Sequence, residues 1–327
     1  MIISAKRREM FLMEIKNIKN VVIAGAGVMG SSMAQTFAQS GYKVTLYDLK
    51  DEFLDRSRNL ININQSASVD KGVFTKEDSE RIMGNISFTC GKDCFREADF
   101  VVEAIVENMD VKHSFWSEVS DMAPQSAVLT TNTSGLSITK IAESVKNPER
   151  FCGMHWINPP HIIPLIEVIN GERTAKETSQ LVYDISKLIG KQPIMINKDA
   201  PGFVLNRFQF AVLREAMHII EEGIASKEDI DNVFKYALGI RYACLGPLEI
   251  ADLGGLDTFY NISSYLFEDL SDAKEVSSIL ADLVKAGNYG VKSGKGFYDY
   301  SDGRDKEVIR KRDEDFYKIT ECLFGEK

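Results

Sequence analysis

The chain is poor in cysteine, histidine and positive charge, and each scarcity excludes a class of protein. Its five cysteines form an odd set without a Cys-x-x-Cys pair, which indicates reduced thiols rather than a disulfide framework. Four histidines without a His-x-x-x-His spacing or a Cys/His cluster predict no metal site. Lys and Arg total 39 against 48 Asp and Glu, a net charge of -9. This deficit argues against nucleic acid or an anionic membrane as a partner, since both are bound through clustered cations.

Long apolar runs are missing as well. No run approaches the roughly 18 apolar residues that a membrane span requires. The first thirteen residues contain Lys6, Arg7 and Arg8 but no apolar segment typical of a secretory signal, and Met10 or Met13 could be the true start. A hydrophobic content of 44% over 327 residues is that of a soluble protein large enough for two domains. We therefore expect a cytoplasmic protein without a membrane or nucleic-acid partner.

A glycine-rich turn follows the first apolar run. Residues 21–24 lead directly into Gly25-Ala-Gly27-Val-Met-Gly30, and a helical pattern and a second strand pattern that stops at Asp48 come next. Gly25 permits a tight turn, Gly27 lets the backbone approach a pyrophosphate, and Gly30 allows close packing of helix on strand. Asp48 is placed to accept hydrogen bonds from ribose hydroxyls, which favours NAD over NADP. This combination predicts a Rossmann-type NAD site with its phosphates at the helix N-terminus.

Residues 51–83 are polar and helical, and they form an insertion beyond the minimal nucleotide-binding fold. Lys71 lies on the turn in the middle of this insertion. It could bind a substrate phosphate, although for a single lysine the pattern favours a solvated side chain.

Polar side chains follow the next two strand patterns. Glu107 and Lys112 flank one strand-to-helix loop, and Asn132 and Ser134 follow the next strand. Ligands of open α/β sheets bind outside the carboxyl ends of strands. Lys112 either reaches the cofactor or is a surface lysine. No Gly-x-Ser-x-Gly elbow surrounds Ser134, so a hydrogen-bonding role suits it better than that of a nucleophile.

Two apolar runs between residues 151 and 169 carry His155 and Glu167, with Asn158 in the loop between them. Burying a carboxylate is costly unless it is paired, and His155 is the obvious partner. A histidine held by a carboxylate is a poised general base. The alternative is that Glu167 points to solvent from the exposed face of its strand.

Beyond residue 199 the pattern is helical almost to the end, which predicts a helical second domain over residues 200–327. In its first long helix, Asn206 shares a stripe with Phe210 and Met217 that we expect to be buried. Asn206 makes either a structural hydrogen bond or a contact to a site between the domains. Helical domains of this class commonly form dimer interfaces, so we expect a homodimer.

Six ordered motifs together resemble the L-3-hydroxyacyl-CoA dehydrogenase family, over roughly residues 15–300. The motifs are Gly25-Ala-Gly-Val-Met-Gly30, Val102-Glu-Ala-Ile-Val-Glu-Asn108, Asn132-Thr-Ser134, His155-x-x-Asn158-Pro159, Pro201-Gly-Phe-Val-Leu-Asn206-Arg207 and Gly294-Lys-Gly-Phe-Tyr298. The resemblance implies a doubly wound α/β NAD-binding domain (residues 1–199) followed by a helical substrate and dimerisation domain.

The resemblance also implies roles for individual residues. His155 would be the catalytic base and Glu167 its orienting partner, while Ser134 and Asn206 would contact the reacting oxygen. Asn158 would help to position the histidine and the substrate. Further positions that the resemblance places near the nicotinamide and its ribose are Glu107, Lys112 and Asn132.

The substrate is a 3-hydroxy acid or its thioester. The segment after Asn158, residues 241–249 and residues 312–314 are similar to the lambda-crystallin and L-gulonate 3-dehydrogenase branch, and partly to carnitine dehydrogenases, which act on free hydroxy acids. The turn at residues 70–72 and residues 289–298 look more like 3-hydroxybutyryl-CoA dehydrogenases. We expect a short-chain L-3-hydroxyacyl-CoA dehydrogenase, with a free 3-hydroxy acid dehydrogenase and a catalytically idle NAD-binding structural protein as alternatives.

Overall fold

The structure, a computed structural model, describes residues 15–70 and 72–325. The chain divides into two compact units, Met1–Val204 and Leu205–Lys327. Lys71, the candidate phosphate ligand, lies outside the described residues. Among those that are described, no helix combines the length and the apolar character that crossing a bilayer demands.

Unit 1 is built on a sheet of eight strands in the order β3-β2-β1-β4-β5-β6-β7-β8. Neighbouring strands are parallel except for β6 and β7, so the last two strands run opposite to the other six. In chain order the strands are β1 Asn20–Ala24, β2 Lys43–Tyr47, β3 Ile86–Thr89, β4 Phe100–Glu103, β5 Val128–Thr131, β6 Phe151–Trp156, β7 Leu165–Ile169 and β8 Gln192–Ile196.

Helices cover both faces of this sheet. The central strands β4, β5 and β6 are buried along their whole length, as expected of strands with helices on either side. Two separate apolar clusters fill the two faces, one around Phe37 and one around Trp116. The predicted doubly wound α/β fold is confirmed. Its helices are α1 Val28–Gln39, α2 Asp51–Asp70, α3 Lys76–Gly84, α4 Met109–Met122, α5 Ile138–Ile141 and α6 Lys176–Leu188.

Side-chain caps account for the starts of helices α3 and α4. Helix α3 begins with a capping box, in which Thr75 accepts from the backbone of Asp78 and the Asp78 carboxylate accepts from the Thr75 backbone. Helix α4 is capped by Asn108, whose side chain accepts from the Val111 N–H. Asp110 lies inside the first turn of this helix, where its charge suits the helix dipole.

Unit 2 is helical. Its helices are α7 Leu205–Glu221, α8 Lys227–Val233, α9 Gly239–Cys244, α10 Pro247–Gly254, α11 Leu256–Leu266, α12 Ser278–Lys285 and α13 Arg304–Phe324, with a π-helical turn at Phe234–Leu238. The expectation that the α7 stripe is buried is wrong for most of its length. Met217 is buried but Phe210 is 61% exposed. Unit 2 therefore leaves part of the apolar face of α7 exposed.

Gly30 gives a test of the helix-on-strand packing. A Cβ at this position would lie 1.8 Å from the Gly25 carbonyl oxygen, so Gly30→Ala must displace α1 from β1. We expect a loss of about 3 kcal/mol in the free energy of unfolding and at least a tenfold loss of NAD affinity. Thermal unfolding with and without NAD measures both. The control is Gly84→Ala, where a Cβ meets nothing within 4 Å and stability should stay level or rise slightly. Unchanged NAD binding by Gly30→Ala would contradict the packing argument.

Candidate functional site

The glycine turn has the geometry of a dinucleotide site. Gly25 has φ +107°, and a Cβ there would lie 2.4 Å from the Ala104 carbonyl oxygen, so only glycine fits. Gly27 is the N-cap residue of α1, and a Cβ there would meet nothing within 4 Å. The backbone at the helix N-terminus is therefore open to an anionic ligand.

A cleft of about 890 Å³ opens in front of this turn. Asp48 lies on its wall, where its carboxylate accepts the Ala26 N–H at 2.7 Å and the Leu49 N–H at 2.6 Å. These two bonds fix the carboxylate at the end of β2, where a ribose would lie. The chemistry and size of the cleft fit a dinucleotide. Lining residues include Gly25, Gly27, Asp48, Arg56, Ile105 and Phe115.

A fully buried carboxylate, Glu103, ends β4. One oxygen accepts from Lys112 Nζ at 2.5 Å and from the Ile105 N–H at 3.0 Å. The other accepts from Trp116 Nε1 at 3.3 Å and from Thr131 Oγ1 at 2.7 Å. Lys112 is itself fully buried, so the interpretation of Lys112 as a surface lysine is wrong. Its proximity to the nicotinamide stays a prediction.

Lys112 links this carboxylate to the loop that carries Ser134. Its ammonium also lies 3.4 Å from Glu107 Oε2, and Glu107 Oε1 accepts from Thr133 Oγ1 at 2.6 Å and from the Ser134 N–H at 2.9 Å. The Asn132 side chain accepts the Trp156 N–H at 2.7 Å and so ties this loop to the end of β6. The carboxyl ends of β4, β5 and β6 are therefore joined by side chains.

His155 and Glu167 are direct partners across the antiparallel β6–β7 pair. His155 Nδ1 lies 2.7 Å from Glu167 Oε2, and both side chains are buried. The solvated alternative for Glu167 is therefore wrong. Because a carboxylate only accepts hydrogen bonds, Nδ1 is the donor of this pair, and in the neutral imidazole Nε2 is then an acceptor. This arrangement is suited to proton transfer at Nε2.

The loop after Trp156 is held in place by hydrogen bonds from a buried lysine. Lys191 Nζ donates to the carbonyl oxygens of Pro160 at 2.6 Å and Ile163 at 3.0 Å, and it lies 5.3 Å from the Trp156 ring centroid. Burial lowers the pKa of Lys191 to about 8. Asn158, at the start of this loop, is exposed.

Most of the residues predicted for the site thus gather at one edge of the unit 1 sheet. Asn206 belongs to unit 2 as the second residue of α7. The sequence reasoning missed Glu103, which carries the same signal as Glu167: a carboxylate within an apolar strand. It also missed Lys191, which directly precedes strand β8 and has no comparable signal in the sequence. No group of three or more His, Cys, Asp or Glu in the described part of the chain could hold a metal ion.

Comparisons with known proteins agree with this geometry. The NAD-binding domain of 3-hydroxyacyl-CoA dehydrogenase matches residues 20–200, and the C-terminal domain of the same family matches residues 202–300. A probable 3-hydroxybutyryl-CoA dehydrogenase of Deinococcus radiodurans is 40% identical over 85% of this chain and 99% of its own. A 5-formyl-3-hydroxy-2-methylpyridine 4-carboxylate 5-dehydrogenase of Mesorhizobium japonicum is 34% identical over 94% of this chain and 99% of its own.

Solved structures show the same two kinds of relative. A 5-formyl-3-hydroxy-2-methylpyridine 4-carboxylic acid 5-dehydrogenase, an NAD+-dependent dismutase, superposes with a TM-score of 0.88 at 34% identity, covering 95% of this chain and all of that one. The (S)-3-hydroxybutyryl-CoA dehydrogenase from Ralstonia eutropha gives a TM-score of 0.75 at 33% identity, over 87% of this chain and all of that one. With its glycine turn, its Asp48 cleft and two matching domains, the chain belongs to the 3-hydroxyacyl-CoA dehydrogenase family of NAD-dependent oxidoreductases.

Proposed function

We propose that the protein interconverts a short-chain L-3-hydroxyacyl-CoA and the corresponding 3-oxoacyl-CoA, with His155 as the general base. The observation that carries the mechanism is the buried hydrogen bond between His155 Nδ1 and Glu167 Oε2. The substrate class rests on the 3-hydroxybutyryl-CoA dehydrogenases among the relatives, which are 37–40% identical to this chain.

In the oxidative direction His155 Nε2 accepts the proton of the substrate hydroxyl. The imidazolium that forms lies against the Glu167 carboxylate, which stabilises its charge. NAD, when bound, supplies the acceptor for the hydride that leaves the carbon bearing this hydroxyl. In the reductive direction the imidazolium returns the proton to the oxygen.

Ser134 and Asn206 are proposed to hold the substrate oxygen as its charge changes. Ser134 is well placed for such a task, since Glu107 fixes its backbone N–H at 2.9 Å. Asn158 is proposed to contact the substrate and Lys71 its phosphate. Glu107, Lys112 and Asn132 are proposed to define the nicotinamide end of the site through the loops that they hold together.

A second candidate function follows from one observation. The pyridine carboxylate dehydrogenase superposes over 95% of this chain, whereas the family model ends at residue 300, before helix α13. A small ring-bearing acid without coenzyme A is therefore a competing substrate, as is a free 3-hydroxy acid such as L-gulonate or carnitine.

A substrate panel separates these functions. We expect NADH oxidation with acetoacetyl-CoA to exceed every other rate by at least a hundredfold. The comparison reactions are NAD reduction with free 3-hydroxybutyrate, L-gulonate, carnitine and 5-formyl-3-hydroxy-2-methylpyridine 4-carboxylate, all followed at 340 nm. A faster reaction with the pyridine acid, or with a free hydroxy acid, would refute the thioester assignment. Silence with all of them would favour a non-catalytic NAD-binding protein.

Replacement of the proposed base gives a second test. We expect His155→Gln to lower kcat by about 10²- to 10⁴-fold, because it removes the proton acceptor, while NAD affinity stays unchanged. The matched control is His113→Gln on α4, whose ring contacts the Lys140 carbonyl oxygen and which should retain most activity. If His155→Gln turned over at the wild-type rate, the base would have to be another group.

We also propose that unit 2 forms a homodimer. Large apolar side chains cover its surface, among them Leu248 at 81% and Leu253 at 75% exposed, both on α10. Among its described residues, only Met217 and Ile250 count as buried apolar side chains. A helical unit with so small a core requires further apolar burial, and a second copy supplies the same surface in return.

The oligomeric state tests this. Light scattering should give the mass of two 36.6 kDa chains. The double variant Leu248→Arg/Leu253→Arg should give the mass of one chain or unfold at a lower temperature. Leu188→Arg is the control, since Leu188 is also an exposed leucine, 60% exposed, but lies on α6 of unit 1. Monomeric wild-type protein would overturn the proposal.

A further inference from the structure

The segment that follows β8 contains two consecutive residues with left-handed backbone. Gly202 has φ +77° and Phe203 has φ +50°, and the Phe203 N–H closes the turn on the Ala200 carbonyl oxygen at 3.0 Å. Glycine adopts this conformation freely. A bulky side chain rarely does so, and such residues persist only where the surrounding structure holds them in place.

The turn ends on the carboxylate that holds His155. The Val204 N–H donates to Glu167 Oε1 at 3.0 Å, while Oε2 of the same carboxylate lies 2.7 Å from His155 Nδ1. Both oxygens of Glu167 are thus engaged, one by the imidazole and one by the turn. A carboxylate held at both oxygens cannot rotate about its terminal bond without breaking a hydrogen bond.

The ring of Phe203 packs beside the imidazole of His155. It is only 2% exposed, and its centroid is 5.7 Å from that of His155 with the two planes tilted by 58°. The ring packs beside the base while the following N–H holds the partner of the base. One residue therefore touches the His155–Glu167 pair in two ways.

The start of the turn is fixed as well. Asp199 Oδ2 accepts from Ser137 Oγ at 2.6 Å and from the Thr139 N–H at 2.9 Å, at the beginning of α5. The turn is therefore anchored at one end to the α5 start and at the other to Glu167. Its conformation is determined by these contacts rather than by the preference of its own residues.

We propose that Phe203 is a positioning residue for the reaction. Its left-handed backbone aims the Val204 N–H at Glu167 Oε1, and this fixes the carboxylate where it keeps the proton on His155 Nδ1 and leaves Nε2 free to accept one. This inference rests on the proposed role of His155 as the base. It assigns a task to the Pro-Gly-Phe-Val part of the motif at residues 201–207.

Two isomeric side chains separate this role from simple packing. Phe203→Leu and Phe203→Ile introduce the same atoms, but the branched Cβ of isoleucine opposes left-handed backbone. Phe203→Ile should lower kcat at least tenfold relative to Phe203→Leu, with the KM for NAD unchanged. In a Glu167→Gln background the difference between the two variants should vanish.

Gly202→Ala is the second variant, because it disturbs the same turn without touching the ring. It should reproduce the loss seen with Phe203→Ile, and it keeps the test available if that variant does not fold. If both variants lower only the unfolding temperature and leave kcat at the level of Phe203→Leu, the turn has a structural role alone and the proposal is overturned. A Leu-to-Ile difference that persists undiminished with Glu167→Gln would also overturn it.

A spectroscopic readout keeps this test separate from the test of the proposed function. Nitrogen-15 NMR of the histidine rings should show protonated Nδ1 for His155 in the wild type and in Phe203→Leu, and a mixture of tautomers in Phe203→Ile. If the substrate panel is silent, the proposed function fails while this measurement still decides the inference. An identical His155 spectrum in the two variants would refute it.

Discussion

The carboxylate of Glu103 has no access to water, and the arrangement of side chains at the carboxyl ends of β4 and β5 depends on it. An unpaired buried charge is so unfavourable that Glu103 must keep its donors, and they come from α4, from β5 and from the backbone after β4. Lys112 also contacts the Glu107 carboxylate, and Glu107 in turn accepts a hydrogen bond from the Ser134 N–H. The ends of the strands are therefore held by charge pairing as well as by the sheet.

A second buried carboxylate is paired three strands further along the sheet, on β7. Reversal of chain direction between β6 and β7 places Glu167 opposite His155, where its buried carboxylate contacts the imidazole and accepts the Val204 N–H of the turn after β8. A parallel strand in this position would need a crossover between the two residues. The short connection of residues 157–164 brings the pair together within a single antiparallel ladder.

The family is established over both units, and what differs within the family is the substrate. A probable 3-hydroxybutyryl-CoA dehydrogenase and a pyridine carboxylate dehydrogenase are similar to this chain over 85% and 94% of its length, respectively. The proposed hydride and proton transfer is compatible with either substrate, since the cleft and the His155–Glu167 pair both lie in unit 1.

What the sequence determined by itself was local. The glycines of the turn, the acid at Asp48 and the period of the strands followed from backbone conformation and side-chain alternation, and the fold class with its NAD site could be predicted from them. The resemblance of ordered motifs supplied the family. The resemblance could not predict which side chains are buried, because whether Lys112 is solvated or Phe210 is covered depends on elements far away in the chain. The resemblance already implied that Glu167 is the partner of His155. Only the tertiary structure decided that Glu103 joins three elements and that Phe203 takes a left-handed conformation, since both are imposed by contacts between segments distant in sequence.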